Sequence, residues 1–336
     1  MGNRISLVYL IAKKSVVGEK FFICLTLICV NNKLLYNKNK KGKRILKNKK
    51  QKPYTPRENP FGGHEFKKSL GQNFLRDKNL LASIVRDAGV SASSVVLEVG
   101  AGAGTLTQEL ASVASSVLSM EVDKSLEPTL KELESEYNNL RIWFSDALKT
   151  EESVIMENIK DLAGELDHGK IKVVANIPYY ITTPLIFKFL KMEEVSSITI
   201  MVQKEVAERI VSSTSSGEYG SLSVMVNYYG KASIKRVVDK TMFYPVPKVD
   251  SAVLHIEKDE NRDREMEHTL SVVVKQAFSA RRKMLLNNLS EPFKISKPEL
   301  EELFISCGLK PTVRAEELSV DNYLALSKKL VEYREK

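Results

Sequence analysis

The sequence predicts an α/β fold: a largely parallel sheet with helices on both faces, followed by a small helical domain. Three observations carry that prediction. Residues 95–123 read as strand, glycine turn, helix, strand. Further apolar runs at 141–146 and 172–175 end in polar or turn residues and lead into helical patterning. Beyond residue 270 only helical patterning remains.

The chain has 336 residues, 43% of them hydrophobic, enough for one large or two ordinary domains. Its net charge of +9 is unevenly spread. Residues 1–68 hold 17 Lys and Arg against three acids, Glu19, Glu58 and Glu65, leaving 34 bases and 39 acids elsewhere. The folded part is therefore mildly acidic, and any nucleic-acid contact must come from local basic patches. Two of the three cysteines, Cys24 and Cys29, lie in the N-terminal segment, which excludes a disulfide framework for the remainder. The four histidines are scattered without zinc-ligand spacing, so no metal site is expected.

Residues 1–60 read as a leader apart from the fold. The run at 21–30 (FFICLTLICV) is too short to span a bilayer comfortably but suits a signal-peptide core. The stretch after it, NNKLLYNKNKKGKRILKNKKQKP, is basic, acid-free and without apolar periodicity, so disorder is expected there. Together they resemble the two-part leader of proteins sent to a secondary, apicoplast-like plastid. A mitochondrial presequence is the nearest rival. A basic nucleic-acid-binding arm, or an untranslated start upstream of a cytoplasmic protein, are the other readings. With the leader removed, no stable membrane association is expected.

Residues 61–257 form the expected catalytic domain. Residues 69–75 make a loop placed to fold over a ligand, with the Asn73 amide as a hydrogen-bonding group. Leu80, Leu81, Ile84 and Val85 then define an amphipathic helix that packs on the sheet. In the next unit, Gly100, Gly102 and Gly104 follow the strand directly. Glycine there lets backbone approach a ligand that any Cβ would push away, and the helix N-terminus offers free N–H groups. A dinucleotide fingerprint would need glycine at position 105, which is Thr105. Glu98, inside the strand end, would repel a pyrophosphate and attract a sulfonium and an amino group. Glu121, ending the second strand, suits two vicinal ribose hydroxyls. These features favour S-adenosylmethionine over a nicotinamide cofactor.

Asp146 ends the next strand, where it either accepts a bond from an adenine amino group or simply caps a turn. The strand at 172–175 runs into Asn176-Ile177-Pro178-Tyr179. This motif makes chemical sense for methylating an exocyclic amine, whose lone pair is delocalised into its ring. The Asn176 side-chain oxygen and the Ile177 carbonyl can each accept one N–H, concentrating electron density on nitrogen. Pro178 fixes the bend, and Tyr179 offers a face on which a base stacks.

The second half continues with a strand at 197–201 and a helix at 203–211. The segments at 221–229, 234–238 and 249–256 are expected to finish the sheet as strands. The charged stretch at 257–265 marks a boundary, placing a helical domain at 258–336. Helices are expected there at 270–288, 297–306 and 320–332. Arg281, Arg282 and Lys283 cluster on the first of them, either as an RNA-phosphate contact or as a solvated face. Lys67 and Lys68 are a weaker version of the same idea.

Several stretches together resemble the rRNA adenine dimethyltransferase family, the bacterial-type enzymes that dimethylate neighbouring adenosines near the 3′ end of small-subunit rRNA. They are GQNFL (71–75), VLEVGAGAGTLT (96–107), EVD (121–123), NIPYYITTPLIFKFL (176–190), MVQKEVAERIV (201–211), YGSLSVMVNYYG (219–230), FYPVPKVDSAV (243–253) and FSARRKMLLNNL (278–289). The resemblance implies a Rossmann-like class I methyltransferase sheet of seven strands. It implies S-adenosyl-L-methionine contacts at Asn73, Leu75, Gly100, Glu121, Asp146 and Asn176, to which the glycine turn and strand end add Gly102 and Glu98. It places the target-base aromatics on Tyr179 and Phe243. Ala101 departs from the proline common in the family, and Ile177 from a frequent leucine. The implied partner is small-subunit rRNA within a ribosomal subunit or its precursor, met by a monomeric enzyme. The other readings are an assembly factor, or a mitochondrial transcription-factor relative, acting mainly by nucleic-acid binding.

Overall fold

The computed structural model describes residues 8–16, 19–27, 36–38, 44–46, 73–75, 77–164 and 170–334. The chain divides into two units, Met1–Gly63 and His64–Lys336. In the first, β1 (Val8–Val16) pairs antiparallel with β2 (Glu19–Leu27), and β3 (Tyr36–Lys38) with β4 (Arg44–Leu46). Composition led to an irregular leader there. The apolar and aromatic residues that suggest a signal core also favour strands. Lys67, Lys68 and most of the loop before Asn73 lie outside the described residues.

The second unit opens with β5 (Phe74–Leu75) and α1 (Lys78–Asp87). Asp77 caps α1 by accepting from the Leu80 N–H (2.9 Å), and Leu81, Ile84 and Val85 are buried. Next come β6 (Val95–Val99), α2 (Thr105–Ala111), β7 (Ser116–Glu121), α3 (Glu127–Glu136), β8 (Leu140–Phe144), α4 (Glu152–Ala163) and β9 (Ile171–Ala175). Then follow α5 (Tyr179–Lys191), β10 (Val195–Gln203), α6 (Lys204–Val211), α7 (Ser221–Tyr229), β11 (Gly230–Val238), β12 (Phe243–Tyr244) and β13 (Ser251–Lys258). The seven-stranded sheet has the order β11-β13-β10-β9-β6-β7-β8. From β8 to β10 neighbouring strands are parallel, and β13 lies antiparallel to both β10 and β11. The chain winds outward in opposite directions from the β6–β9 pair. That reversal opens a crevice at the strands' carboxyl ends, where α/β sheets bind ligands.

Residues 221–229 form α7 rather than the expected strand. Val224, Val226, Tyr228 and Tyr229 are all buried, so the segment is apolar around much of its circumference. Such a run cannot be told from a buried strand by periodicity. Asn227 holds it in place, its amide donating to the Ile210 carbonyl (3.2 Å).

The C-terminal helices are α8 (Glu267–Ala277), α9 (Leu285–Phe293), α10 (Lys297–Ser306) and α11 (Val320–Arg334). The single helix expected at 270–288 is thus two, broken by a 3-10 turn at Phe278–Ala280. The Asn288 amide donates to the Ala277 (2.7 Å) and Ala280 (3.1 Å) carbonyls, satisfying groups that the break frees. Leu270, Val273, Leu285 and Tyr323 belong to the same apolar cluster as Val224 and Ile256. The helical segment therefore shares its core with the sheet. Among the described residues, no helix is long and apolar enough to cross a membrane.

Gly230, where β11 meets β13, leaves no room for a side chain: a Cβ there would lie 2.1 Å from the Glu257 carbonyl oxygen. Gly230→Ala should cost about 1–3 kcal/mol, as other overpacked interiors do. Denaturant unfolding with S-adenosylhomocysteine affinity as a control would check this; an unchanged midpoint would contradict the contact.

Candidate active site

Two local structures meet at the crevice. The first is the glycine turn after β6. Gly100, Gly102 and Gly104 all have positive φ (83°, 55° and 77°), a region that residues with a Cβ adopt rarely. The turn is pinned by the Met120 carbonyl, which accepts from the N–H groups of Gly100 (2.8 Å) and Ala101 (3.2 Å). The second is the bend after β9, where Pro178 precedes the first turn of α5. These structures touch. A Cβ on Gly100 would lie 3.0 Å from Ile177 Cγ2 and 3.3 Å from the Asn176 carbonyl oxygen.

The space they enclose is a cavity of about 460 Å³. Asn73, Leu75, Gly100, Gly102, Glu121, Asp146, Asn176, Ile177, Pro178, Tyr179 and Phe243 all line it. Eleven residues proposed from sequence are thus brought together from six separate stretches of chain. Two short strands close one side: β5 pairs with β12, with Phe243 opposite Leu75. That pairing anchors the segment bearing Asn73 beside the one bearing Phe243. Thr105 adds a tie, its hydroxyl donating to the Leu75 carbonyl (3.1 Å).

The polar groups have distinct environments. Glu121 Oε1 accepts from the N–H groups of Val122 and Asp123 (both 2.8 Å), and Oε2 accepts from Gly102 N–H (2.8 Å). Three of a carboxylate's roughly four acceptor positions are filled, which fixes the group and leaves Oε2 with spare capacity. Asp146 Oδ1 accepts from Leu148 N–H (3.0 Å) and Oδ2 lies 3.2 Å from Lys149 Nζ. Asp146 is therefore a turn cap and also a wall of the cavity. The Asn176 side chain has no protein hydrogen-bond partner among the described residues. Tyr179 is held through its hydroxyl, 2.7 Å from Ser251 Oγ, and burial pushes that hydroxyl's pKa up.

This lining fits S-adenosylmethionine. Carboxylates at the ends of adjacent strands, Glu121 and Asp146, suit ribose hydroxyls and an amino group and oppose a pyrophosphate. Val122, Ala147 and Leu148 supply apolar wall between them. Gly102 cannot carry a side chain without meeting the Phe74 ring, 2.8 Å from its Cβ position.

Glu98 does not belong to this lining. Alternation along β6 turns it away from Leu97 and Val99, and it is fully buried opposite Ser119, whose hydroxyl donates to Oε2 (2.5 Å). Its other oxygen has no hydrogen-bond partner among the described residues. The expected attraction to a sulfonium is thereby replaced by a structural role. The RNA-facing cluster also changes: residues 281–283 lie in the turn before α9, not on a helix. Arg281 donates to the carbonyls of Gly217 and Tyr219 (both 2.8 Å), tying the 212–220 loop to the helical segment. Arg282 and Lys283 are exposed. Sequence reasoning missed Phe74, Ser251, Lys149 and the exposed Tyr180 at this site. Phe74 and Ser251 sit inside recognised stretches, but only the fold shows what they touch.

Burial, with a smaller contribution from Glu121, raises the Glu98 carboxyl to about 7, against the Ser119 hydrogen bond that favours its ionised form. The folded state therefore keeps a proton that the unfolded chain releases near pH 4.5, and stability falls as pH rises between those values. The difference corresponds to about 3 kcal/mol above pH 7. Glu98→Gln should be more stable than the parent at pH 8 and equal to it at pH 4, by denaturant midpoint. A pH-independent difference would contradict the assignment.

Comparison with known proteins agrees with this geometry. The family described as "Ribosomal RNA adenine dimethylase" matches residues 63–332. The chain is 44% identical over 266 residues to "Ribosomal RNA small subunit methyltransferase A" of Clostridium botulinum, covering 78% of this chain and 93% of the relative. It is 41% identical over 275 residues to the Lactococcus lactis protein of the same name, covering 79% and 90%. Among solved structures, a dimethyladenosine transferase from Plasmodium falciparum superimposes with a TM-score of 0.65 at 25% identity, covering 78% of this chain and 98% of that one. The 23S rRNA methyltransferase ErmE gives 0.59 at 26%, covering 77% and 99%. With its glycine turn, acceptor motif and sheet order in place, the chain belongs to the ribosomal RNA adenine dimethylase family.

Proposed function

We propose that this enzyme dimethylates the 6-amino groups of two adjacent adenosines near the 3′ end of small-subunit rRNA, within a ribosomal subunit or its precursor and as a monomer. The observation that carries the reading is the Asn176 amide, without a hydrogen-bond partner among the described residues at the cavity wall beside Gly100, with Tyr179 and Phe243 lining the same space. S-adenosylmethionine, when bound, supplies a methyl group already activated by its positively charged sulfur.

The protein's own work is positioning and electrostatics. Asn176 Oδ1 and the Ile177 carbonyl accept the two N–H bonds of the target amine, drawing its lone pair out of the ring. After one transfer a single N–H remains, so one acceptor still orients the amine for the second. The target base, extruded from RNA, stacks on Tyr179, whose ring is fixed by Ser251. Phe243 is held by β12 pairing with β5. No strong base is required, because the amine loses its proton late, to solvent.

All three cations of the 281–283 cluster are exposed, but Arg281 is tied to the 212–220 loop, so Arg282 and Lys283 are assigned to RNA phosphate, with Lys67 and Lys68 as a second contact. The acid-poor leader supports an organellar ribosome, plastid or mitochondrial, as the destination. Fusing residues 1–62 to a fluorescent protein tests this: organelle fluorescence is expected, and diffuse cytoplasmic signal would contradict it.

Asn176→Ala should abolish methyl transfer while leaving S-adenosylhomocysteine affinity within a few-fold, because the lost oxygen acts on the amine. Retained turnover would overturn the assigned role. Neutralising Arg282 and Lys283 together should weaken rRNA binding and flatten the dependence of log affinity on log salt by about 1–2. An unchanged slope would return both side chains to an ordinary solvated surface.

A further inference from the structure

Helix α5 carries the acceptor motif at its start and Lys188 about two and a half turns further on. The Lys188 ammonium donates to the Leu148 carbonyl (3.4 Å) and to the Thr150 carbonyl. Both carbonyls belong to the loop between β8 and α4, which bears Asp146. Asp146, Ala147, Leu148 and Lys149 from this loop all line the cavity.

The loop's other bonds are local. Asp146 accepts at its backbone oxygen from Lys149 N–H (3.0 Å) and Thr150 N–H (2.9 Å), and the Thr150 hydroxyl lies 2.9 Å from that of Ser145. Such bonds shape the turn without setting where it stands against the sheet. Ala147 and Leu148 pack on the core, and Lys188 adds the polar tie, because its backbone is fixed in α5 while its ammonium reaches two loop carbonyls at once. Burial lowers its pKa, opposed by the carboxylates of Glu152, Glu151 and Asp146. A half-buried cation is thus held where water would solvate it better, which calls for a function.

We propose that Lys188 is a positioning residue for the cofactor, placing the loop so that Asp146 meets the 6-amino group of the cofactor's adenine. It also links the two halves of the site mechanically, since the helix that begins at Tyr179 holds the wall that Asp146 occupies. The proposal rests on reading the cavity as the cofactor site with Asp146 at the adenine.

Two probes separate positioning from general stability: S-adenosylhomocysteine, and S-inosylhomocysteine, which carries a carbonyl in place of the amino group. Affinities are measured by calorimetry on the full chain, with thermal unfolding alongside. The parent protein should prefer the adenine form by about tenfold or more, the size of one charge-assisted hydrogen bond. Lys188→Met should weaken the adenine form and collapse that preference several-fold, while Lys188→Arg restores it. Lys188→Gln, a shorter neutral donor, should lie between and serves as the test if the Met variant does not fold. Equal weakening of both probes, or an unchanged ratio, would overturn the positioning role. A parent protein without preference would instead refute the Asp146 reading and the proposal with it.

Discussion

The contact that the site depends on is the one between Gly100 and the Asn176 carbonyl with the Ile177 side chain beside it. It follows from topology: β6 and β9 are neighbours in the sheet, so the turn after one and the bend after the other emerge side by side. With a φ of 83°, and with 3.0 Å from the Gly100 Cβ position to the Ile177 side-chain methyl and 3.3 Å to the Asn176 carbonyl oxygen, a side chain here is strained and pushes on the acceptor motif. The cofactor cradle and the amine acceptors are thereby fixed relative to each other by backbone. In a reaction whose rate rests on alignment, an error of about 1 Å in that separation costs about a hundredfold.

The remaining walls are attached to this centre by short ties. The two-residue pair β5–β12 is too small to be stable alone, yet it brings Leu75 and Phe243 into register over the crevice. Tyr179 reaches across to Ser251, and Lys188 to the loop after β8. Each tie joins an acceptor-side element either to a cofactor-side element or to the sheet. The site is a set of loops made rigid by few polar contacts above a well-packed core.

Much of this was legible in the sequence because the informative residues sit at strand ends, where spacing and chemistry coincide. Gly100, Glu121, Asp146 and Asn176 each follow or end an apolar run, and each is found in the cavity. Glu98 misled for a plain reason: one position along a strand reverses the face, and an acid inside a strand reads as functional unless its burial is known. The residues at 221–229 misled because a helix buried on several sides loses the 3.6-residue period. Arg281 was legible as a cation, but its two carbonyl partners at Gly217 and Tyr219 come from a loop sixty-odd residues away. Ser251 and Lys188 lie inside stretches that carry the resemblance, but their roles are defined only by what the fold places beside them.

The central claim concerns the RNA product, and mapping the methyl groups tests it most directly. The purified protein, small ribosomal subunits lacking the modification and radiolabelled S-adenosylmethionine would be combined, and the label located on the RNA. The account predicts label on two adjacent adenosines near the 3′ end, rising to about four methyl groups per subunit at completion. Stable binding to the subunit without methyl transfer, or label on any other nucleotide, would contradict it.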